Sequence, residues 1–117
     1  MTDYHEPTNE LSNETRNYNR ALNSLKEEIE AVSWYQQRVD VSEDEDLKKI
    51  LAHNRDEEIE HACMTLEWLR RNMPMWDEHL KTYLFTEGDI TAIEEEQTDQ
   101  QKNQSDSHGL NIGKLEK

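Results

Sequence analysis

The sequence holds a single cysteine, Cys63, in 117 residues. One thiol excludes an intramolecular disulfide and any Cys-rich zinc or iron–sulfur site, and it suits a reducing cytoplasm. Long apolar runs are also missing. Nothing approaches the roughly 18 to 20 apolar residues of a membrane span, and the opening MTDYHEPTNE lacks the basic-then-apolar pattern of a signal peptide. Cations are scarce, with 13 Lys and Arg against 27 Asp and Glu and a formal net charge of −14. Phosphate binding needs clustered Lys and Arg to release counterions, so this balance excludes nucleic acid as a partner. It is compatible with attracting cations, and equally with charge carried for solubility alone. Hydrophobic residues make up 32% of the chain. A single small domain this polar has a thin core, so either other copies of the chain complete that core or a long part of it stays disordered.

What is present is helical spacing. Residues 1–11 are polar, contain Pro7 and read as a flexible N-terminal arm. A first helix is expected from Ser12 to Val39, because Tyr18, Ala21, Leu25, Val32, Tyr35 and Val39 recur at alternating spacings of three and four once position 28 is counted. Leu22 and Ile29 broaden that stripe. Asp40-Val41 makes a short break, and Ser42-Glu43-Asp44-Glu45 has the form of a capping box that opens a second helix. The second helix should run to about Met73, since Pro74 disfavours helical geometry in the residue before it. So short a connection makes the two helices antiparallel neighbours. Pro74 then opens a third, shorter helix to about Glu87, with Trp76, Leu80, Tyr83 and Leu84 on one side. After Gly88, DITAIEEEQ has room for another helical turn or two. Residues 97–108 read as a disordered linker. Residues 109–117 regain three aliphatics, Leu110, Ile112 and Leu115, and are either without function or a docking peptide.

Charged residues occupy positions where core residues are expected. Position 28, on the seam of the first helix between Leu25 and Val32, is a glutamate. On the second helix, at 100° per residue, Leu47, Ile50, Leu51, Ala62, Leu66, Leu69 and Met73 share one face, and Glu58 and His61 fall in the same arc. With 18 Glu and five His in the chain, roughly 0.8 Glu-x-x-His pairs arise by chance, so the motif carries weight only through its placement. A buried carboxylate is costly unless paired or metal-bound. No Lys or Arg interrupts the middle of either stripe, carboxylate with imidazole suits iron or manganese, and Glu58 and His61 are one helical turn apart. The alternative is an inward Glu–His hydrogen bond, or a slightly rotated first helix that lets Glu28 reach water. Carboxylate-bridged di-iron bundles use a Glu from each of two helices and a Glu-x-x-His from each of the other two. This chain supplies each once, so a two-fold dimer would bring both copies of Glu28, Glu58 and His61 together at its axis.

The runs KEEIEAVSWYQQRVD (26–40), LAHNRDEEIEHACMTLEWLRRN (51–72) and KTYLFTEGDITAIE (81–94) resemble the encapsulated ferritins, a branch of the ferritin-like superfamily. The resemblance implies an all-α fold: an antiparallel two-helix hairpin plus a shorter C-terminal helix, forming a ferritin-like four-helix bundle on dimerisation, with residues 12–96 as the ferritin-like helical domain. It implies ferroxidase ligands at Glu28, Glu58 and His61 around a di-iron centre at a subunit interface, within an annular decamer. It further implies that Glu27 and Glu30 guide iron inward, with Trp34 and Tyr35 nearby. By spacing alone Glu27 and Glu30 are ordinary exposed residues, and Tyr35 is either a hydrogen-bond donor to a ligand or a plain core aromatic. His53 and Glu57 sit on a face read as solvated.

The tail at 109–117 resembles the encapsulation peptide that docks inside an encapsulin shell. Leu110, Ile112, Gly113 and Leu115 fit that segment, and Asn111 and Lys114 depart from it. The implied activity is oxidation of Fe(II) to Fe(III), supplying iron for storage inside an encapsulin nanocompartment in the cytoplasm. Two other readings remain open at the level of residues: an acidic helical adaptor whose Glu–His cluster is a structural metal clip, and another di-metal bundle oxidoreductase, such as a small peroxidase or a manganese protein.

Overall fold

Ser12, in extended backbone, accepts a hydrogen bond from the Thr15 amide at 3.0 Å and starts α1, Asn13–Val41. Such a cap satisfies one of the amides that a first helical turn leaves unpaired. The helix ends at Ser42, whose amide and hydroxyl both donate to the Arg38 carbonyl. Asp44 then caps α2, Glu45–Asn72, by accepting from the Leu47 amide at 2.9 Å. The capping box expected at Ser42 therefore gives way to a cap two residues later, and α1 runs on to Val41. Ser42 is already committed to the end of α1, while the Asp44 carboxylate adds a negative charge at the positive end of α2.

The computed structural model describes residues 4–110, with side chains through residue 101. It is all-helical, with four α-helices, one 3-10 turn and no strand among the described residues. The 3-10 turn, Thr8–Glu10, lies within the expected flexible arm, and the Arg16 guanidinium donates to the Thr8 carbonyl. Two compact units divide after residue 77.

In the first unit α1 and α2 pack as an antiparallel pair. The Tyr18 hydroxyl donates to the Asn72 carbonyl at 3.0 Å, Arg55 donates to the Gln36 side chain at 2.8 Å, and the Thr65 hydroxyl donates to Glu28 at 3.4 Å. The Tyr18 ring meets Trp68 edge-on with centroids 6.3 Å apart, an arrangement that aromatic quadrupoles favour. Along the seam Leu25, Val32, Val39, Leu51, Ala62 and Leu66 are half-buried, and among the described residues only Leu69 is fully buried. One seam is narrower than either apolar stripe, so Ile29 stays 57% exposed and Met64 58%. At the end of α2, Glu67 accepts from Arg70 and Arg71, and Arg70 also donates to Asp77.

α3, Pro74–Tyr83, begins where Pro74 holds Met73 in extended backbone. It ends before the expected Glu87, because Phe85 (φ 60°) and Gly88 (φ 87°) turn the backbone out of the helix. In the second unit α4, Ile90–Leu110, is capped by Asp89, whose carboxylate accepts from the Thr91 hydroxyl and amide. Those two bonds hold the Asp89 carboxyl below its ordinary pKa. α4 thus passes through residues 97–108, where a disordered linker was expected. That stretch has no proline and no glycine and is rich in Gln, a good helix former; its lack of apolar residues removes a hydrophobic face, not the helix. Residues 111–117 of the expected docking tail lie outside the described residues. No helix among the described residues is long and apolar enough to cross a membrane.

Two outcomes follow. Leu69→Ala should cost about 2–5 kcal/mol of folding free energy, the usual range for emptying a filled core site, measured by urea unfolding at fixed protein concentration; a cost below about 1 kcal/mol would mean that Leu69 can be vacated freely. The Arg70 hydrogen bonds, then those from Arg71, lower the Glu67 carboxyl from 4.5 to about 2 in the folded chain. Its contribution is therefore complete above pH 4.5 and lost as pH falls from there toward 2. Glu67→Gln should melt below wild type near neutral pH by a small margin that salt reduces. The two melting curves should converge in acid, and a gap independent of pH would contradict the pairing.

Candidate metal centre

Glu28 lies on α1 between Leu25 and Val32 and is half-buried. Its Oε2 accepts from the Thr65 hydroxyl at 3.4 Å, and its Oε1 is buried with no hydrogen-bond partner. A buried acceptor without a partner costs about 1–3 kcal/mol, more when charged. A cation at Oε1 would remove that cost, so the carboxylate fits a metal-ligand role on its own chemistry.

Glu58 and His61 project from consecutive turns of α2. Glu58 Oε1 lies 3.8 Å from His61 Nδ1, with the two side chains 28% and 44% exposed. That is beyond hydrogen-bond reach, so neither group is consumed by the other. Two ligands at right angles on one transition-metal ion, each about 2.1 Å from it, lie about 3 Å apart, and a small rotation of either side chain closes the difference.

The antiparallel register decides what one chain can assemble. With Thr65 facing Glu28 and Arg55 facing Gln36, Glu58 lies opposite residues 33–35. It is offset from Glu28 by roughly 8–10 Å along the axes at 1.5 Å per residue. Accordingly, among the described residues no three His, Cys, Asp or Glu side chains converge to hold an ion. One chain brings Glu58 and His61 together and leaves Glu28 apart from them.

The remaining residues of interest are on the surface or at its edge. Glu27 and Glu30 are exposed on α1, and Trp34 is 52% exposed. Tyr35 is half-buried, with the Arg38 guanidinium 5.1 Å from its ring centre, a cation–π contact. His53 and Glu57 approach to 3.8 Å on an exposed face of α2, the solvated face expected of them.

Thr65 is the residue that sequence reasoning missed. It continues the arc of Glu58 and His61 at the next helical spacing of four, and a hydroxyl among Ala62, Leu66 and Leu69 was the available signal. Its meaning depended on which α1 residue it faced, and that required the register.

A family model described as EncFtn-like matches residues 3–87. The chain is 62% identical over 107 residues to a ferritin-like protein of Thermotoga maritima, covering 92% of this chain and 94% of that one. It is 68% identical over 90 residues to an encapsulated ferritin-like protein of Rhodospirillum rubrum, covering 77% of this chain and 64% of that one. The crystal structure of a Nitrosomonas europaea protein, 60% identical, superposes with a TM-score of 0.74 over 76% of this chain and 98% of that one.

Proposed function

The chain belongs to the EncFtn-like family of encapsulated ferritins, and on that premise we propose that it is a ferroxidase whose site is completed by a second copy of itself. Its function is iron-related and ferritin-like. The finer reading is that Fe(II) is oxidised to Fe(III) at a di-iron site built from Glu28, Glu58 and His61 of two chains. The observation that carries this reading is the buried, unpartnered Oε1 of Glu28, facing an α2 whose Glu58 and His61 stand together without a bond between them.

Fe(II) is the substrate. Glu28 and Glu58 offer oxygen donors and His61 a neutral imidazole nitrogen, a donor set suited to iron. Carboxylates favour the harder, more highly charged Fe(III), so binding there lowers the cost of removing an electron. Each Fe(II) gives up one electron to a dissolved oxidant, and two ions held side by side deliver two. The half-exposed His61 edge leaves a path for solvent and oxidant. Glu27 and Glu30, exposed one turn or less from Glu28 on the helix surface, attract cations toward the site, with Trp34 and Tyr35 flanking it.

The same geometry supports a proposed assembly. Two hairpins related by a two-fold axis cover each other's apolar faces as a four-helix bundle. Such dimers joined in a ring give an annular decamer. Each subunit is too thin to enclose mineral, so the Fe(III) product is stored elsewhere. Residues 109–117 serve this by docking the assembly inside an encapsulin shell, which places the protein in an encapsulin nanocompartment.

Wild-type protein should oxidise Fe(II) in air faster than buffer alone, followed by ferric absorbance. Glu28→Ala, Glu58→Ala and His61→Ala, each with wild-type oligomeric size, should fall to the buffer rate. A wild type no faster than buffer would end the ferroxidase reading and leave a structural metal clip. Deleting residues 109–117 should leave the oxidation rate unchanged while abolishing co-purification with a co-produced encapsulin shell; retained co-purification would place the docking determinant elsewhere.

A further inference from the structure

The two oxygens of the Glu28 carboxylate have different surroundings. Oε2 is touched by the Thr65 hydroxyl at 3.4 Å, and Oε1 is buried and free. A carboxylate oxygen that binds metal is oriented by whatever hydrogen bonds its remaining acceptor sites. Thr65 supplies such a bond from α2, the same helix that carries Glu58 and His61, at the helical spacing that follows theirs. Its hydroxyl donates across the helix pair. The Thr82 hydroxyl, by contrast, turns back to the Glu78 carbonyl of its own helix, the usual habit of a helical threonine.

We infer that Thr65 is a positioning residue for Glu28: by holding Oε2 it presents Oε1 as the oxygen offered to a cation. This rests on the proposed function, because it takes Glu28 as a metal ligand. At 3.4 Å the bond is longer than the usual hydroxyl range of about 2.5–3.0 Å. It steers the carboxylate without anchoring it, and Glu28 keeps the freedom to change its binding mode as the charge on a bound ion rises. Thr65 also couples the two halves of the ligand set, since any movement of α2 that shifts Glu58 and His61 carries the group that aims Glu28.

The side chain sits where exchange is sterically mild. Thr65 borders an open groove of about 410 Å³ together with Ala21, Ser24, Met64 and Trp68. Valine has the branched shape of threonine and stays within the staggered rotamers open to a β-branched residue in a helix, so Thr65→Val removes the donor with little change in volume. Serine keeps the donor and removes a methyl group.

The test uses full-length assembled protein and Co(II) as probe under anaerobic conditions, with affinity from calorimetry and ligand geometry from the visible Co(II) spectrum. Thr65→Val should weaken Co(II) binding about 10-fold or more, the usual cost of losing a partner behind a metal ligand, and should alter the spectrum. Thr65→Ser should bind within about threefold of wild type, since the hydrogen bond that supports the ligand is retained. In a Glu28→Ala background, Thr65→Val should cause no further loss, which a general packing defect would not reproduce. The inference is overturned if Thr65→Val binds Co(II) like wild type with an unchanged spectrum, or if it loses as much without Glu28 as with it. If wild type binds no Co(II), the metal centre itself fails; if wild type binds and the valine variant matches it, only the role of Thr65 falls.

Discussion

Two helices packed along a single seam can shield one line of side chains, and everything else in this chain adjusts to that constraint. Leu69 is the only described residue with no exposure, while Ile29, Ile50 and Met64 all keep more than half of theirs. These are the side chains that the proposed dimer would cover. Fully burying one such side chain stabilises by about 1.5–3 kcal/mol, so a second hairpin laid against the first would contribute what one seam cannot. The thin core and the proposed shared site are therefore two consequences of one geometry.

The cost of that geometry is visible at Glu28. A carboxylate stands where the α1 seam calls for an aliphatic side chain, with one oxygen buried and unpartnered. The arginines of α2 are engaged elsewhere: Arg55 with Gln36 and Asp56, Arg70 with Glu67 and Asp77, Arg71 with Glu67. A carboxylate that breaks the local packing rule without a compensating cation in its own chain is characteristic of a functional site. Glu58 and His61, adjacent yet unbonded, fit the same pattern.

The hairpin was legible in the sequence because the spacing of Tyr18, Leu25, Val32 and Val39 reports burial directly. Its turn was harder to place, since Ser42 and Asp44 are both good capping residues and only the bond of Ser42 back to Arg38 shows which helix it serves. α4 was missed beyond its first turns because apolar periodicity reports packing and not helicity; Gln-rich sequence forms a helix with no face to bury. At the candidate site, Glu28, Glu58 and His61 stood out as charges on apolar arcs. Thr65 did not, because a threonine on a seam has no anomaly until its partner across the helix pair is known. The axial offset of Glu58 from Glu28 was likewise hidden in the register, and it is the feature that makes one chain insufficient.

The central claim is that two identical chains together build one metal centre. Crystals of the assembled protein soaked anaerobically in Fe(II) and measured at the iron absorption edge test it directly. The account predicts two iron peaks about 3.5–4 Å apart, as in two-metal sites, on a two-fold axis and liganded by Glu28, Glu58 and His61 of both chains. Iron bound within a single chain away from any axis, or at surface carboxylates with Glu28 left bare, would contradict it.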